Sequence, residues 1–310
     1  MYDLAIIGGG PAGISGGIYA SRKQLKTIFI TKEWGGQSNV SADIQNWVGT
    51  ISISGADFAT QLKAHLEAYK GDTLDIKEGQ NAMKVEKTEG GFTITLEDET
   101  TYEAKTVLVA AGAERRKLTV PGADDFDQKG LTYCATCDGP MFTGKDVVVV
   151  GGGNAGFETA AQLLAYTKSV TLLHRSPQFK ADPVTVKKVL SHQNMKSVLN
   201  AETLEVKGDG FVNGIVYKDT TTGEIHELPT DGIFVEIGLV PSTAFVADVL
   251  ELDNYKRIVT DPTNQKTSTL GIWAAGDSTN ALYHQNNIAA GEAVVAIEDI
   301  YNHLHMQESS

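Results

Sequence analysis

One sequence pattern occurs twice in this chain and constrains its fold more than any other feature. Residues 2–33, YDLAIIGGGPAGISGGIYASRKQLKTIFITKE, show a short apolar strand, a glycine-rich turn, a helix and a second strand. Residues 145–175, KDVVVVGGGNAGFETAAQLLAYTKSVTLLHR, repeat that order. Both turns have the spacing GxGxxG within a unit of about 30 residues, which is typical of a dinucleotide-binding βαβ unit. The sequence therefore predicts an α/β fold with two Rossmann-like dinucleotide-binding domains.

The glycines of the two turns are the first candidate binding residues. They are Gly8, Gly10 and Gly13 in the first copy and Gly151, Gly153 and Gly156 in the second. Glycine permits a tight turn and lets backbone N–H groups meet a pyrophosphate at the positive end of the following helix. Two such units imply two dinucleotides, and we expect one flavin and one nicotinamide.

Charge and hydropathy exclude several classes of protein. The formal net charge is -13, whereas a nucleic-acid binder needs basic patches to neutralise phosphates. The sequence has no run of 18 apolar residues to span a membrane, and its start lacks the pattern of a secretion signal. We therefore expect a cytoplasmic protein that binds neither nucleic acid nor a membrane.

Both cysteines, Cys134 and Cys137, lie in the stretch YCATCDGP at residues 133–140. A disulfide that closes so short a loop stabilises a large domain very little. A structural zinc site normally needs four ligands, and the sequence contains neither a second CxxC nor an HxxxH pair. We therefore predict no metal and interpret the pair as redox-active in a reducing compartment.

The remaining segments fit an α/β chain. Residues 56–70 have a helical period, and three strands are predicted within residues 81–110. The last of these runs into Ala110–Ala111–Gly112, as a strand that meets a nucleotide would. A similar strand precedes AAGDS at residues 274–278.

Six motifs together resemble the low-molecular-weight thioredoxin reductases, which are flavin-dependent pyridine nucleotide-disulphide oxidoreductases. In order they are GGGPAG (8–13), GGQ (35–37), CATCDG (134–139), GGGNAG (151–156), HR (174–175) and AAGDS (274–278). The second half also resembles the flavoprotein part of bacterial alkyl hydroperoxide reductase systems. The resemblance implies a nucleotide domain inserted into an FAD domain and joined to it by a two-stranded hinge. It places the FAD domain at residues 1–114 and 244–310, and the NAD(P)H domain with its CxxC at 115–243.

The resemblance also implies which residues bind FAD. Gly8, Gly10 and Gly13 would hold the pyrophosphate, and Glu33 would meet the adenosine ribose. The residues placed along the rest of the cofactor are Gly36, Gln37, Asn46 and Gly112, with Asp277 on the ribityl chain and Gln285 beside the isoalloxazine.

The same resemblance assigns the sulfur chemistry. Cys137 would face the flavin, Cys134 would exchange with an outside disulfide, and Asp138 would protonate a leaving thiolate. A helix cap or turn is the alternative role for Asp138.

The electron donor is expected at the second glycine turn, through Gly151, Gly153, Asn154 and Gly156. Units that prefer NAD carry an acidic residue after the second strand, whereas this chain has His174 and Arg175. A positive charge favours a 2′-phosphate, which indicates NADPH. The family's usual site has two adjacent arginines and a third four residues on, but here Ser176 replaces the second and Lys180 the third. NADH and reduced ferredoxin therefore remain as alternative donors.

The sequence predicts a homodimeric thioredoxin-disulfide reductase that uses NADPH, FAD and a redox-active disulfide. Its partner would be thioredoxin or a similar small disulfide protein. One alternative is an NADH-dependent reductase that serves a peroxiredoxin or a glutaredoxin-like protein, and another is a ferredoxin-dependent flavin thioredoxin reductase. A non-catalytic flavin-binding redox sensor is a hypothesis of a different class.

Overall fold

The computed structural model describes residues 1–41 and 44–308, with the backbone alone described at residues 40, 136, 137 and 306–308. The chain divides into two compact units. Unit 1 comprises Met1–Glu114 and Val240–Ser310, and unit 2 comprises Arg115–Leu239. The second crossing between the units lies at residue 239. The sequence analysis placed it four residues later, after residue 243.

Seventeen strands are described. In chain order they are β1 Tyr2–Ile7, β2 Thr27–Thr31, β3 Leu74–Glu78, β4 Ala82–Thr88, β5 Gly91–Leu96, β6 Thr101–Val109, β7 Ala113–Arg115, β8 Leu131–Thr132, β9 Asp146–Val150, β10 Ser169–Leu173, β11 Met195–Val198, β12 Ala201–Asp209, β13 Phe211–Asp219, β14 Ile225–Pro229, β15 Gly232–Val235, β16 Leu239–Pro241 and β17 Ile272–Ala274. The two chain crossings lie in β7 and β16, which pair with each other.

Six α-helices and three 3₁₀ helices are described between these strands. The α-helices are α1 Pro11–Arg22, α2 Gly55–Tyr69, α3 Ala135–Asp138, α4 Asn154–Leu163, α5 Pro183–Leu190 and α6 Asn286–Glu308. The 3₁₀ helices are Gly36–Val40, Gly139–Phe142 and Ala244–Val246. Among the described residues, no helix is long and apolar enough to cross a membrane.

Unit 1 is built on a seven-stranded sheet in the order β3-β2-β1-β6-β5-β4, with β17 also paired to β6. Strands β3, β2, β1, β6 and β17 are parallel, and β5 joins the first residues of β6 in antiparallel register. Because successive side chains of a strand point to opposite faces, β1 feeds two cores. Leu4 and Ile6 pack in the core that contains α1 and α6, whereas Ala5 and Ile7 pack in the core on the other face.

Unit 2 repeats this plan with a five-stranded parallel sheet in the order β11-β10-β9-β15-β8. Strand β9 is also buried on both faces, since Val147 and Val149 pack with α4 while Val148 and Val150 pack with the other core. A three-stranded antiparallel sheet, β12-β13-β14, completes the unit. Each unit is therefore Rossmann-like, with a glycine turn between its central strand and the following helix.

Candidate active site

The glycine turn of unit 1 has a backbone that only glycine fits. Gly8 has φ +124°, and a Cβ there would lie 2.1 Å from the carbonyl oxygen of Ala110. A Cβ on Gly13 would lie 1.8 Å from the carbonyl oxygen of Gly8, so the helix begins in close contact with the turn. At Gly10, by contrast, an added Cβ would meet nothing within 4 Å. The second glycine therefore faces open space from which a ligand can approach the backbone.

The turn of unit 2 has the same geometry. Gly151 has φ +127°, and a Cβ there would lie 2.0 Å from the carbonyl oxygen of Glu236. A Cβ on Gly156 would lie 1.9 Å from the carbonyl oxygen of Gly151, and one on Gly153 would meet nothing within 4 Å. Within the described residues, neither α1 nor α4 has a side chain that caps its first turn. Both helices thus leave backbone N–H groups for an anion.

A cleft of about 720 Å³ in unit 1 begins at the first glycine turn. This volume is within the range of small-molecule sites. The predicted FAD residues that line it are Gly8, Gly10, Glu33, Gly36, Gln37, Gly112 and Asp277. Residues Gly13, Asn46 and Gln285 lie outside this lining. The cleft also includes Val240–Phe245, of which the sequence analysis placed residues 240–243 in the NAD(P)H domain.

Two of the outlying residues contact each other. The Asn46 amide donates to the Gln285 side-chain oxygen at 2.9 Å. Nearby, Ser38 in the 3₁₀ helix donates to Asn286 at the start of α6, at 2.9 Å, and both residues line the cleft. The loop after β2 and the start of α6 are therefore held together at one side of the cleft.

Asp277 faces a titratable partner. Its Oδ1 lies 3.5 Å from Nδ1 of His284. This contact with Asp277 raises the pKa of His284, and Glu292 raises it further while burial and Arg257 oppose the rise. Burial raises the pKa of Glu292, whose carboxylate accepts the Gly276 N–H at 2.7 Å. Asp277 thus lies in a cluster of acid and base groups at the cleft.

In unit 2, the loop after β10 is fastened to the glycine turn through Gly152. The Gly152 N–H donates to Nδ1 of His174 at 3.1 Å, and the Gly152 carbonyl accepts the Lys180 N–H at 2.8 Å. Asn154 adds a further contact, since its side-chain oxygen accepts the Asp182 N–H at 2.8 Å. Hydrogen bonds therefore hold this loop, residues 174–182 (the basic loop), against the second glycine turn.

Both ring nitrogens of His174 contact the main chain of these loops. It is buried, and its Nε2 contacts the Gln178 carbonyl at 2.9 Å, so Nε2 carries the proton and Nδ1 accepts. Burial lowers the pKa of His174, and the neighbouring Lys180 and Arg175 lower it too. The ring is therefore neutral near pH 7 and holds the loop rather than a charge. Arg175 and Lys180 are exposed and Ser176 is half-buried, so these side chains are available to a phosphate.

The cysteine segment leads from β8 into α3. Cys134 is half-buried and disulfide-bonded. The sequence has one other cysteine, Cys137, whose side chain lies outside the described part of the structure. Asp138 is half-buried at the end of α3, and its N–H donates to the Cys134 carbonyl at 3.1 Å. A disulfide and a carboxyl group are thus one helical turn apart.

Two residues that the sequence analysis did not select support this segment. Arg115 donates to the carbonyl of Tyr133 and also contacts Glu236 at 2.9 Å. Glu236 has a side chain only 8% exposed, and its Oε1 also accepts the Thr159 hydroxyl at 2.8 Å. An acidic residue directly after an apolar strand was the available sign for Glu236, but its partner is far away in sequence. Among the described residues, no cluster of three or more His, Cys, Asp or Glu could hold a metal.

Comparison with known proteins identifies the family to which the chain belongs. The family profile of the pyridine nucleotide-disulphide oxidoreductases matches residues 2–297. The chain belongs to this family. Two solved structures are similar over 97% of the chain and 98% of their own: Lactococcus lactis thioredoxin reductase (FR conformation), 31% identical with TM-score 0.91, and T. acidophilum thioredoxin reductase, 36% identical with TM-score 0.89.

Among curated members of the family, the F component of alkyl hydroperoxide reductase from Staphylococcus aureus (strain MRSA252) is 41% identical over 303 residues. That match covers 98% of this chain but only 59% of the relative. Membership of the pyridine nucleotide-disulphide oxidoreductases implies FAD and a pyridine nucleotide as cofactors. The chain is similar both to thioredoxin reductases and to this alkyl hydroperoxide reductase component.

Proposed function

We propose that the chain is a thioredoxin-disulfide reductase that passes two electrons from NADPH, through FAD and the Cys134/Cys137 disulfide, to thioredoxin or a similar small protein. The observation that carries the proposal is the disulfide at Cys134, one helical turn from Asp138, in a chain with two glycine turns of equal geometry. We expect the enzyme to act as a cytoplasmic homodimer.

The residues of unit 1 suit FAD. The N–H groups at the start of α1 and the open face of Gly10 would receive the pyrophosphate, because a Cβ there would meet nothing within 4 Å. Glu33 lies at the same cleft as a ribose acceptor, and Asp277 as a partner for the ribityl hydroxyls. Bound FAD would supply the electron pair that breaks the disulfide.

The residues of unit 2 would manage the sulfur and proton chemistry. When the S–S bond takes up two electrons it breaks, and both sulfurs leave as thiolates unless one is protonated. Asp138 would give its proton to one of them and become a carboxylate. Cys134 would remain nucleophilic as a thiolate and attack the partner's disulfide, forming a mixed disulfide that the second thiol resolves.

NADPH is the donor that the basic loop supports. Arg175 and Lys180 are exposed at the loop held against the second glycine turn. An arginine fork binds phosphate well, whereas Ser176 offers a single neutral donor. The site thus favours a 2′-phosphate through two cations, Arg175 and Lys180, where the family usually has three. NADH and reduced ferredoxin are the alternative donors.

A second candidate partner follows from the alkyl hydroperoxide reductase relatives. The first of them is 41% identical to this chain, above the 31% and 36% of the two thioredoxin reductases. This favours a reductase of a peroxide-scavenging system, in which the same disulfide would reduce a peroxiredoxin or a glutaredoxin-like protein. The chain spans 59% of the length of that relative.

The test is anaerobic reduction of the purified yellow protein. NADPH should bleach the flavin within one turnover, faster than NADH or reduced ferredoxin, and oxidised thioredoxin should restore the colour through many cycles. If only a peroxiredoxin or a glutaredoxin restores the flavin colour, that protein is the partner in place of thioredoxin. Protein that stays colourless with added FAD, or a flavin that bleaches slowly without turnover as in a sensor, would refute the proposal.

A further inference from the structure

Thr132 lies outside every motif used above, yet its hydroxyl contacts both Cys134 and Asp138. It accepts the N–H of Cys134 at 3.2 Å. It also donates its proton to Oδ2 of Asp138. A single hydroxyl oxygen therefore links the backbone of Cys134 to the carboxyl group of Asp138.

The position of Thr132 is fixed by the sheet. It is the last residue of β8, it is only 3% exposed, and it pairs with Phe234 of the buried strand β15. A β-branched side chain on a strand has few rotamers. The hydroxyl is therefore held in place by the parallel sheet, and α3 begins three residues later at Ala135.

The hydrogen bond from Thr132 distinguishes the two oxygens of Asp138. The Thr132 hydroxyl has one proton and donates it to Oδ2. Because Oδ2 accepts this bond, we place the exchangeable proton of Asp138 on Oδ1. A hydroxyl bonded to a carboxylate also offsets part of its negative charge.

We propose that Thr132 is a positioning residue that orients Asp138 for proton transfer and moderates the charge beside Cys134. The inference rests on the proposed disulfide-reductase function. Bound FAD would supply the electron pair that breaks the S–S bond, and Asp138 would pass its Oδ1 proton to one sulfur. One thiol, one thiolate and the Asp138 carboxylate result, and Thr132 stays bonded to Oδ2.

The test is a double-mutant cycle with Thr132→Val, Thr132→Ser, Asp138→Asn and the Thr132→Val/Asp138→Asn pair. The first readout needs no donor and no partner: the rate at which iodoacetamide alkylates Cys134 in reduced protein, followed by tandem mass spectrometry. Without the hydroxyl, the full charge of Asp138 disfavours the thiolate, so Thr132→Val should slow alkylation about ten-fold, as for a charged hydrogen bond. The second readout is the stopped-flow rate of flavin reoxidation by thioredoxin, which should fall similarly.

The controls separate positioning from packing. Thr132→Ser should stay within about two-fold of the parent in both readouts, since it keeps the hydroxyl. In the Asp138→Asn background, Thr132→Val should have no further effect. An equal loss in both backgrounds, or a serine variant as impaired as valine, would overturn the inference. If the valine variant does not fold, as judged by circular dichroism, Thr132→Ala takes its place in the same cycle.

The two readouts also separate this inference from the proposed function. Coupling in the alkylation rates without any thioredoxin turnover would support the Thr132 role and refute the thioredoxin partner. Full turnover without coupling would refute the Thr132 role alone.

Discussion

Arg115 and Glu236 form an ion pair whose Nη1 and Oε1 atoms lie 2.9 Å apart. The Glu236 side chain is 8% exposed and that of Arg115 is 26% exposed, so the two ends differ in access to water. The same guanidinium donates to the carbonyl just before Cys134, and the same carboxylate oxygen accepts from α4. One ion pair thus joins the last residue of β7, the cysteine segment and the residue that follows β15.

Removing Arg115 should destabilise unit 2 more than neutralising Glu236. Arg115→Gln leaves a buried carboxylate with the Thr159 hydroxyl, whereas Glu236→Gln leaves an arginine that can reach water. We expect losses in the free energy of unfolding of about 2–3 kcal/mol and about 1 kcal/mol respectively, on the usual scale for charged hydrogen bonds and unpaired buried charges. Urea unfolding of both variants measures the difference. The reverse order would contradict the role given to burial.

Cys134→Ser should separate the two half-reactions. We expect the variant to accept electrons from the donor into the flavin at the parental rate and to reduce no thioredoxin, because the attacking thiol is absent. Stopped-flow absorbance follows the first step, and an insulin-precipitation assay the second. Equal loss of both half-reactions would contradict the assignment of Cys134 as the interchange thiol.

Asp138→Asn should slow flavin reoxidation and thiol oxidation about a hundred-fold, the usual contribution of a general acid. Nucleotide affinity should change little, since Asp138 is not among the residues proposed to bind nucleotide. The matched control is Asp125→Asn, because Asp125 is exposed in the same unit. An unchanged reoxidation rate in Asp138→Asn would remove the acid role.

Ser176→Arg should sharpen the preference for NADPH. An added guanidinium can make a charged, forked contact with the 2′-phosphate, so the ratio of kcat/KM for NADPH over NADH should rise about ten- to a hundred-fold. Ser176→Gln adds length without charge and should leave the ratio nearly unchanged. If the arginine variant keeps the parental ratio, the 2′-phosphate is not bound at this position.

Acid should weaken both unit 2 and its nucleotide site through His174. Burial, with help from Lys180 and Arg175, lowers the pKa of this ring from 6.5 in the folded protein. The unfolded chain therefore binds the proton more readily, and the free energy of unfolding falls as pH drops from about 6.5 towards the lowered pKa. Protonated Nδ1 cannot accept the Gly152 N–H, so NADP⁺ affinity should fall over the same range.

Calorimetry of NADP⁺ binding between pH 8 and 5 measures this effect. His174→Asn supplies the control, because its oxygen can accept from Gly152 but does not titrate. Titration of the nucleotide phosphate is common to both proteins and cancels in the comparison. Parallel pH profiles would mean that His174 does not hold the loop.

Much of the fold is readable from the sequence because it depends on local patterns. The glycine turns, their strands and the helices after them are confirmed, and the predicted helix at 56–70 is α2, Gly55–Tyr69. The predicted strand at the end of 81–110 is β6, Thr101–Val109, which carries Gly112 to the cleft. These features follow from hydrophobic period and from glycine at set spacing.

The supporting contacts could not be read in this way. Arg115 and Glu236 are 121 positions apart and meet only because the fold of unit 2 brings them together. The neutral tautomer of His174 depends on Gln178 and Gly152, which lie on different loops. In the sequence, His174 and Arg175 look like two cations. In the structure His174 is a buried, neutral hydrogen-bonding residue, whereas Arg175 is exposed. Tertiary packing decides such roles.

The fastening of the basic loop through Gly152 has an evolutionary consequence. Both hydrogen bonds use the main chain of Gly152, one with the His174 ring and one with the Lys180 N–H. Neither involves the side chains of residues 175, 176 and 180. Those three positions can mutate while the glycine turn keeps its shape. At the proposed nucleotide site, a change of coenzyme preference would therefore need few substitutions and no change in the turn.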